Sequence, residues 1–243
     1  MVMNIKIDVK DLKEIIDILL TMVSEAKFEF SKTGLQIKVV DPAHVAMITL
    51  KMKKEDFREY DVPDDTEIGI DLEKFKDFLK AAKTSDIVEL IKEDSKITIN
   101  LNYLTRTMST IDPSSITVPK VPQINLSNYV VISTEEFLDG LKVAESISDN
   151  ITLHVTMDEF MLYSTGEEDQ TKLNIPKENL KEFNVTSEAK SVYPVDYLLR
   201  FMKTLSSENV KVYVGTDYPV KIEFTFASDK GEGMFLLAPR IEG

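Results

Sequence analysis

The chain of 243 residues contains no cysteine and no tryptophan, and only two histidines, His44 and His154. Without cysteine there are no disulfides, thiolate metal sites or cysteine nucleophiles, and two histidines leave little imidazole for catalysis or metal binding. Long apolar runs are also lacking, because residues 15–23 are interrupted by Asp17 and fall short of the roughly 18 residues that a membrane helix needs. With no basic and apolar leader at its start, the sequence predicts a soluble, cytoplasmic protein without a membrane partner.

Positive charge is scarce as well. Lysine and arginine total 29 against 42 aspartates and glutamates, which gives a net charge of −13. That sign opposes simple attraction to phosphate or to anionic lipid, so the overall charge taken alone predicts no nucleic-acid partner. At roughly 150 residues per domain, the length favours one large domain or two modest ones, each with its own core.

What the sequence does contain is an internal repeat. Phe75, Phe78 and Leu79 recur 123 residues later as Leu198, Phe201 and Met202, and the strand-like runs 87–91 and 210–214 keep that offset. At an offset of 125, Leu12, Ile16, Phe28, Leu35 and Ile37 are matched by Phe137, Leu141, Leu153, Phe160 and Leu162. A repeat of this length predicts two copies of one structural unit.

Each copy has the pattern helix, strands, helix, strands. Apolar residues at Leu12, Ile16, Leu19 and Val23 predict an amphipathic first helix, and Asp71 is a candidate N-cap for the second. The remaining predicted elements are the second helix over residues 72–82, helices near 134–148 and 194–205, and alternating strands at 27–30, 35–39 and 96–101. The predicted fold class is α+β, with two similar domains of antiparallel sheet and paired helices.

Residues 116–125 contain Pro119 and Pro122 and favour an extended connection. We therefore predict an N-terminal domain at residues 1–115, a connecting segment at 116–127 and a C-terminal domain at 128–243. Such a chain exposes strand edges, and pairing one edge with the other edge of a neighbouring subunit would close a ring. The pattern does not fix the number of subunits.

The usual catalytic motifs have no match here. Gly231-Glu232-Gly233 lacks the remainder of a phosphate-binding loop and is predicted to be a flexible hairpin tip. The acidic runs 64–65 and 167–169 lack calcium-loop spacing, and His154 lies in an alternating strand where an exposed surface histidine is expected. We predict no enzymatic activity, no metal and no cofactor.

Two other stretches are unusual for their apolar character, residues 41–47 and the terminal residues 235–241. They are either a strand connection and a last core strand, or parts of a groove that binds a partner.

Three motifs carry a family resemblance: Asp41-Pro42-Ala43-His44-Val45, Gly69-Ile70-Asp71-Leu72, and the ending Leu237-Ala238-Pro239-Arg240-Ile241-Glu242. Together with the duplication and the connecting segment, they resemble the archaeal and eukaryotic DNA sliding clamp, proliferating cell nuclear antigen, from about residue 4 to Glu242. The resemblance implies a homotrimeric ring of six similar domains, with helices lining a hole through which duplex DNA passes without sequence readout. Such a clamp tethers DNA polymerase, clamp loader, flap nuclease and ligase through a short peptide motif, and performs no chemistry.

The resemblance also implies three sets of site residues. The DNA-binding cations would be Lys10, Lys13, Lys76, Lys80, Lys83, Lys142, Arg200 and Lys203. The partner-peptide groove would comprise Val40, His44, Val45, Met47, Val121, Pro122, Leu126, Pro219, Leu236, Leu237, Ala238 and Pro239. The subunit interface would comprise Lys83, Arg106, Met108, Thr110, Glu135, Glu136, Asp139, Lys172, Asn174 and Ile175.

The charges on the predicted DNA-facing helices depart from the family, because their outward-facing acidic and basic residues sum to zero. We therefore suppose that Glu135, Glu136 and Asp139 pair with Lys83 and Arg106 of the next subunit, where the edge strands 106–111 and 171–176 would meet. Two alternatives remain open: a hydrolase or nuclease that uses carboxylates, and a clamp-like subunit of a hetero-oligomer or checkpoint complex.

Overall fold

The structure is a computed structural model that describes residues 2–240. Its chain divides into two compact units: unit 1 comprises Met1–Lys120 with Thr225–Gly233, and unit 2 comprises Val121–Phe224 with Met234–Gly243. No helix among the described residues is long and apolar enough to cross a membrane.

The described part of the first half contains two α-helices and nine strands. They are β1 (Met3–Asp8), α1 (Val9–Leu20), β2 (Glu25–Ser31), β3 (Gly34–Val40), β4 (Ala46–Lys53), β5 (Glu59–Asp61), β6 (Thr66–Asp71), α2 (Leu72–Leu79), β7 (Ile87–Glu93), β8 (Lys96–Leu101) and β9 (Leu104–Ser109). One set of strands has the order β5-β1-β7-β8-β9, and a second set has the order β4-β3-β2-β6.

The second half repeats this plan. Its elements are β10 (Tyr129–Ser133), α3 (Thr134–Glu145), β11 (Asn150–Val155), β12 (Glu159–Thr165), β13 (Gln170–Pro176), β14 (Glu182–Asn184), β15 (Ala189–Pro194), α4 (Val195–Met202), β16 (Asn209–Tyr213), β17 (Val220–Phe226) and β18 (Gly231–Leu237). The strand orders β14-β10-β16-β17-β18 and β13-β12-β11-β15 correspond one for one to those of the first half. The α+β class and the duplicated plan are therefore confirmed.

Strand register tests the repeat residue by residue. Phe28 lies opposite Ile37 and Leu153 lies opposite Leu162, which confirms the offset of 125. The later offset of 123 is wrong for one strand: Val88 and Val210 occupy equivalent positions, opposite Ile7 and Ile132, and are 122 residues apart. The connection from α4 to β16 is one residue shorter than the connection from α2 to β7.

The helices end earlier than the apolar spacing predicts. In α1, N–H groups of Thr21 and Met22 bond to carbonyls three residues back, and this tightening ends the helix before Val23. In α2, Asp71 is the predicted N-cap, and its Oδ1 accepts the N–H of Lys74 at 3.0 Å. The apolar residues Leu12, Ile16 and Leu19 of α1 are buried, so the amphipathic assignment is confirmed.

The Gly-Glu-Gly segment is not a hairpin tip. Positive φ angles at Ala227, Ser228 and Asp229 form the turn, while Gly231 is buried as the first residue of β18. A Cβ on Gly231 would lie 2.2 Å from the ring of Phe226, so glycine is needed there for close packing. The connecting residues 116–128 form neither helix nor strand, as expected of an extended segment.

Candidate functional site

In unit 1, α1 packs beside α2, and two of the predicted DNA-binding lysines, Lys76 and Lys80, are exposed on α2 and at its C-terminal end. Lys76 Nζ lies 2.8 Å from Asp17 Oδ1, an ion pair between the two helices. Lys80 Nζ lies 2.7 Å from Asp77 Oδ1, three residues earlier in the chain. The hydrogen bond from Lys80 lowers the pKa of Asp77, and Asp77 in turn raises the pKa of Lys80.

The other three predicted cations of unit 1 are placed differently. Lys10 Nζ donates to Ser228 Oγ at 3.0 Å, and Lys13 Nζ donates to the carbonyl of Ala82 at 3.0 Å. Lys83 lies beyond the end of α2, where its backbone N–H donates to the Asp86 carboxylate. Lys13, Lys76 and Lys80 border a small hollow between α1 and α2, which has Ile16 and Leu79 among its lining residues.

In unit 2 the same arrangement recurs on α3 and α4. Lys142 Nζ lies 2.9 Å from Asp139 Oδ1, and Arg200 Nη2 lies 3.2 Å from Asp196 Oδ2. Lys203 is exposed at the C-terminal end of α4. Four of the eight predicted DNA-binding cations are therefore paired with aspartates of the four helices.

A second candidate site surrounds the loop between β3 and β4, which is built on Asp41. This buried carboxylate accepts backbone N–H groups of Ala43, Val45 and Ala46 at 3.0, 2.8 and 2.7 Å. The loop also holds His44 at φ 58°, a left-handed conformation in which histidine is enriched among non-glycine residues. A carboxylate at Asp41 therefore fixes the backbone while the side chains of His44 and Val45 remain exposed.

The predicted groove residues of unit 1 are all accessible to some degree. His44 and Val45 are exposed, and Val40 and Met47 are half-buried.

Among the predicted groove residues of unit 2, Val121 and Pro122 are exposed, and Leu126, Pro219, Ala238 and Pro239 are half-buried. Leu236 and Leu237 do not fit the prediction, since they are only 5% and 0% exposed in the described chain. Neighbouring residues of a strand face opposite sides, so β18 is covered on both faces here and these leucines are core. Ile241 and Glu242 of the terminal motif lie outside the described residues.

One aromatic residue beside this set was missed from the sequence. Tyr218 is exposed and its backbone carbonyl accepts the buried Tyr193 hydroxyl at 2.7 Å. Leu126 lies close to Tyr218, since both side chains pack against Gly215. A Cβ added to this glycine would lie 2.7 Å from Leu126 and 3.1 Å from Tyr218. The position of this aromatic residue directly before Pro219 was the sequence signal that could have identified it.

The third candidate site consists of two open strand edges, one in each unit. The strand β9 ends the order β5-β1-β7-β8-β9, and β13 ends the order β13-β12-β11-β15, so both predicted edge strands are edges. Directly after β9, the N–H of Thr110 bonds to the carbonyl of Ser95, and the antiparallel alternation then turns the backbone groups of Thr105, Thr107 and Ser109 away from β8.

The same alternation applies to β13. The N–H of Lys177 bonds to Asp158, which turns the N–H groups of Gln170, Lys172 and Asn174 away from β12. Pro176 has no N–H and occupies an outward position, where proline is tolerated in an edge strand. Each edge thus presents a row of backbone groups that another strand can pair with.

The predicted interface residues lie on or beside these edges. Met108 and Thr110 are half-buried, Lys172 and Asn174 are exposed, and Ile175 is buried. Arg106 Nη1 donates to the carbonyl of Lys74 at 3.2 Å. Glu135 and Glu136 are exposed in the first turn of α3, and Lys83 is exposed, but Asp139 already pairs with Lys142 within its own helix.

Three exposed apolar side chains near the edges were missed from the sequence: Tyr103 and Leu104 at the β8–β9 turn, and Val143 on α3.

His154 differs from its predicted state. Its side chain is only 15% exposed, and its Nε2 lies 2.7 Å from Glu188 Oε1. The ring packs edge-on against Tyr163. Within residues 2–240, no group of three or more histidines and carboxylates is arranged to hold a metal ion.

Comparisons with known proteins agree with one another. A family model described as "Proliferating cell nuclear antigen, N-terminal domain" matches residues 6–125. A DNA polymerase sliding clamp of Thermoplasma acidophilum is 38% identical over 243 residues, covering 98% of this chain and 99% of that protein. One of Picrophilus torridus is 41% identical over 242 residues, covering 98% and 99%. The structure of Archaeoglobus fulgidus PCNA with the C-terminal region of FEN-1 aligns with a TM-score of 0.95, at 32% identity and 99% of both chains.

Proposed function

The chain belongs to the proliferating cell nuclear antigen family of DNA polymerase sliding clamps, and from that premise we propose that three copies close into a ring around duplex DNA. Encirclement would hold a bound polymerase at a high local concentration near its template, while weak phosphate contacts let the ring move. The helices of both units would line the hole with their exposed charged surfaces. Residues 1–115 and 128–243 would be the two ring-forming domains, joined by residues 116–127.

The observation that carries this proposal is the pair of open edges. β9 lies at one sheet edge of the first half, and β13 lies at a sheet edge of the second. Pairing β9 of one copy with β13 of the next is a head-to-tail contact, which closes into a ring when the rotation between copies allows it. Lys83, Arg106, Met108, Thr110, Glu135, Glu136, Asp139, Lys172, Asn174 and Ile175 would lie at this contact.

Sliding clamps act as processivity factors, and we propose no catalytic role for this chain. A carboxylate-dependent hydrolase is disfavoured, since no acidic cluster that could hold a metal occurs in the described part of the chain. A hetero-oligomeric clamp subunit is the nearer competitor, and its edges would not match each other. We place the activity in the cytoplasm, with polymerase, loader, flap nuclease and ligase as partners.

Retention on DNA without free ends tests the proposal directly. The purified protein is expected to have three times the chain mass of 27.6 kDa in native mass measurement. After loading by a clamp loader, it should stay on nicked circular duplex and leave when a restriction enzyme linearises the plasmid. A single-chain mass, or equal loss from circular and linear DNA, would contradict encirclement.

We propose that partner peptides bind at the exposed and half-buried members of the predicted groove. The Archaeoglobus fulgidus relative was solved with the C-terminal region of FEN-1. The loop held by Asp41 supports the assignment, because apolar side chains presented on a fixed backbone are suited to bind a few apolar anchors. Leu236 and Leu237 would support this surface from the core and would not touch the peptide.

Val45→Glu is expected to weaken peptide binding at least tenfold without loss of assembly. The side chain is exposed, so a charge there leaves folding intact but must lose water when an apolar anchor covers it. The ligand is a fluorescent peptide from the C-terminal region of the same organism's flap nuclease, and its binding is measured in an anisotropy titration. Met157→Glu is the matched control, since Met157 is also an exposed apolar residue, in the turn between β11 and β12. Equal affinities for the two variants would refute the assignment.

A further inference from the structure

Four of the predicted DNA-contacting cations are already bound by carboxylates of the same helical surfaces. The pairs are Lys76 with Asp17, Lys80 with Asp77, Lys142 with Asp139 and Arg200 with Asp196, at 2.8, 2.7, 2.9 and 3.2 Å. Each of the four helices contributes one of these aspartates. The arrangement is therefore a repeated feature of both units.

Local geometry makes these pairs form in the free protein. Asp77 and Asp139 precede their lysines by three residues, and Asp196 precedes Arg200 by four. A carboxylate N-terminal to a cation at this spacing is the favoured order on a helix. The fourth pair, between Asp17 and Lys76, crosses from α1 to α2 and joins the neighbouring helices.

The pairs are also exposed enough to exchange. Both members of each pair keep between 42% and 71% of their side-chain surface in contact with solvent. Exposed ion pairs are weak, so a phosphate can displace the carboxylate and take over the cation. Without these aspartates, the same cations would form a permanently positive surface that binds each phosphate more strongly.

This inference rests on the proposed clamp function: we infer that Asp17, Asp77, Asp139 and Asp196 determine how tightly the ring binds duplex DNA. Each aspartate competes with phosphate for its cation, which lowers the affinity for DNA and its dependence on salt. A ring that holds DNA by encirclement does not need strong phosphate contacts. The competing carboxylates thus favour rapid sliding.

The test compares two variants with the same change in net charge. One is D17N/D77N/D139N/D196N, in which four nearly isosteric exposed amides replace the paired carboxylates. The control is D64N/D65N/E167Q/E168Q, which removes four exposed acids that lie in loops and not on the four helices. Because Asp139 also belongs to the predicted subunit contact, a third variant, D17N/D77N/D196N, keeps it, and native mass is measured for all three.

The measurements are the affinity for a short duplex over a range of salt concentrations, and the diffusion coefficient of the loaded ring on end-blocked duplex. At about 0.15 M salt we expect the helix variants to bind at least about tenfold more tightly than wild type. The slope of log affinity against log salt should steepen by about 0.9 for each added phosphate contact. Diffusion should slow in the helix variants and not in the loop control.

A pairwise cycle assigns the effect to individual cations. The gain in affinity from D77N is expected to vanish in D77N/K80Q, because the cation that the substitution releases is then absent. Equal affinities of helix variants and wild type, or an equal gain in the loop control, would overturn the inference. Failure of the clamp function itself is detected by a different measurement, because wild-type protein would then be lost from circular DNA.

Discussion

Replacing Thr107 by proline is expected to convert the assembled protein into single chains that remain folded. The N–H of Thr107 points away from β8, so proline removes no backbone hydrogen bond within the chain; it removes only the exposed side-chain bond between the hydroxyls of Thr107 and Thr98 at 3.0 Å. It does remove a donor from the edge that we propose to pair with β13 of the next copy, and its ring obstructs the approaching strand. Size-exclusion chromatography with light scattering measures the mass.

The neighbouring residue supplies the control. The N–H of Met108 points toward β8, where it lies opposite Ile97, so Met108→Pro breaks the ladder inside the chain. That variant is expected to lose about 3 kcal/mol or more of unfolding free energy. Thr107→Pro should differ little from wild type in thermal unfolding measured at a dilution where wild type is also dissociated. A trimeric Thr107→Pro protein would refute pairing through β9.

A second edge variant tests the head-to-tail order of the contact. Lys172→Pro blocks the outward edge of β13 and leaves β9 intact, so alone it should also give single chains. Mixed with Thr107→Pro, it retains one compatible pair of edges, and the two variants should form a one-to-one dimer that cannot grow. A symmetric contact of like edges predicts no such dimer.

Replacing Lys230 by methionine is expected to destabilise the protein by about 3–5 kcal/mol, because it leaves a buried carboxylate without its cation. Lys230 Nζ lies 2.7 Å from Asp11 Oδ2 and 3.1 Å from Asp8 Oδ2, and Asp11 is only 1% exposed. Arg58 holds the other oxygen of Asp8 at 2.9 Å and cannot replace Lys230 at Asp11 without moving. Urea unfolding at neutral pH measures the loss.

The matched control is Lys177→Met. This lysine pairs with Asp158 at 2.8 Å, but both side chains are exposed, so its removal should cost far less stability than the removal of Lys230. The double variant Lys230→Met with Asp11→Asn should recover much of the lost stability, since no charge is then left buried. Equal losses for Lys230→Met and Lys177→Met would contradict the assigned role.

The loss caused by Lys230→Met should also depend on pH. The hydrogen bond from Arg58 lowers the pKa of Asp8 despite opposing burial, and the bond from Lys230 lowers it further. A lowered carboxyl pKa contributes stability above its ordinary value of 3.8 and loses it as the pH falls further. The difference between wild type and Lys230→Met is therefore expected to be smaller near pH 3 than at pH 7.

Periodicity and local chemistry predicted most of the fold. The apolar repeat identified both copies, because equivalent core positions keep their residue class even where one connection is a residue shorter. The Asp71 cap was predicted because a cap depends only on the next three residues. The two edge strands were predicted correctly through the family resemblance, and their open positions follow from strand order.

Features that depend on tertiary packing were not predicted. Burial of Leu236 and Leu237 requires that both faces of β18 are covered, which an apolar ending does not reveal. Glycine is required at position 231 because the ring of Phe226 packs against it, and not because the chain turns there. The pair between Lys76 and Asp17 joins residues far apart in sequence, so counting charges along the helices could not identify the partners.

The attachment of Lys230 to Asp11, across 219 residues of sequence, has a consequence for biosynthesis. The ribosome releases α1 and the rest of the first half long before it has translated the Thr225–Gly233 hairpin. Until then Asp11 lacks the ammonium group that neutralises it in the finished protein. The amino-terminal half therefore gains this stabilising contact only after the Thr225–Gly233 hairpin has been translated, and a nascent chain that stops before the hairpin is expected to be more open to proteolysis.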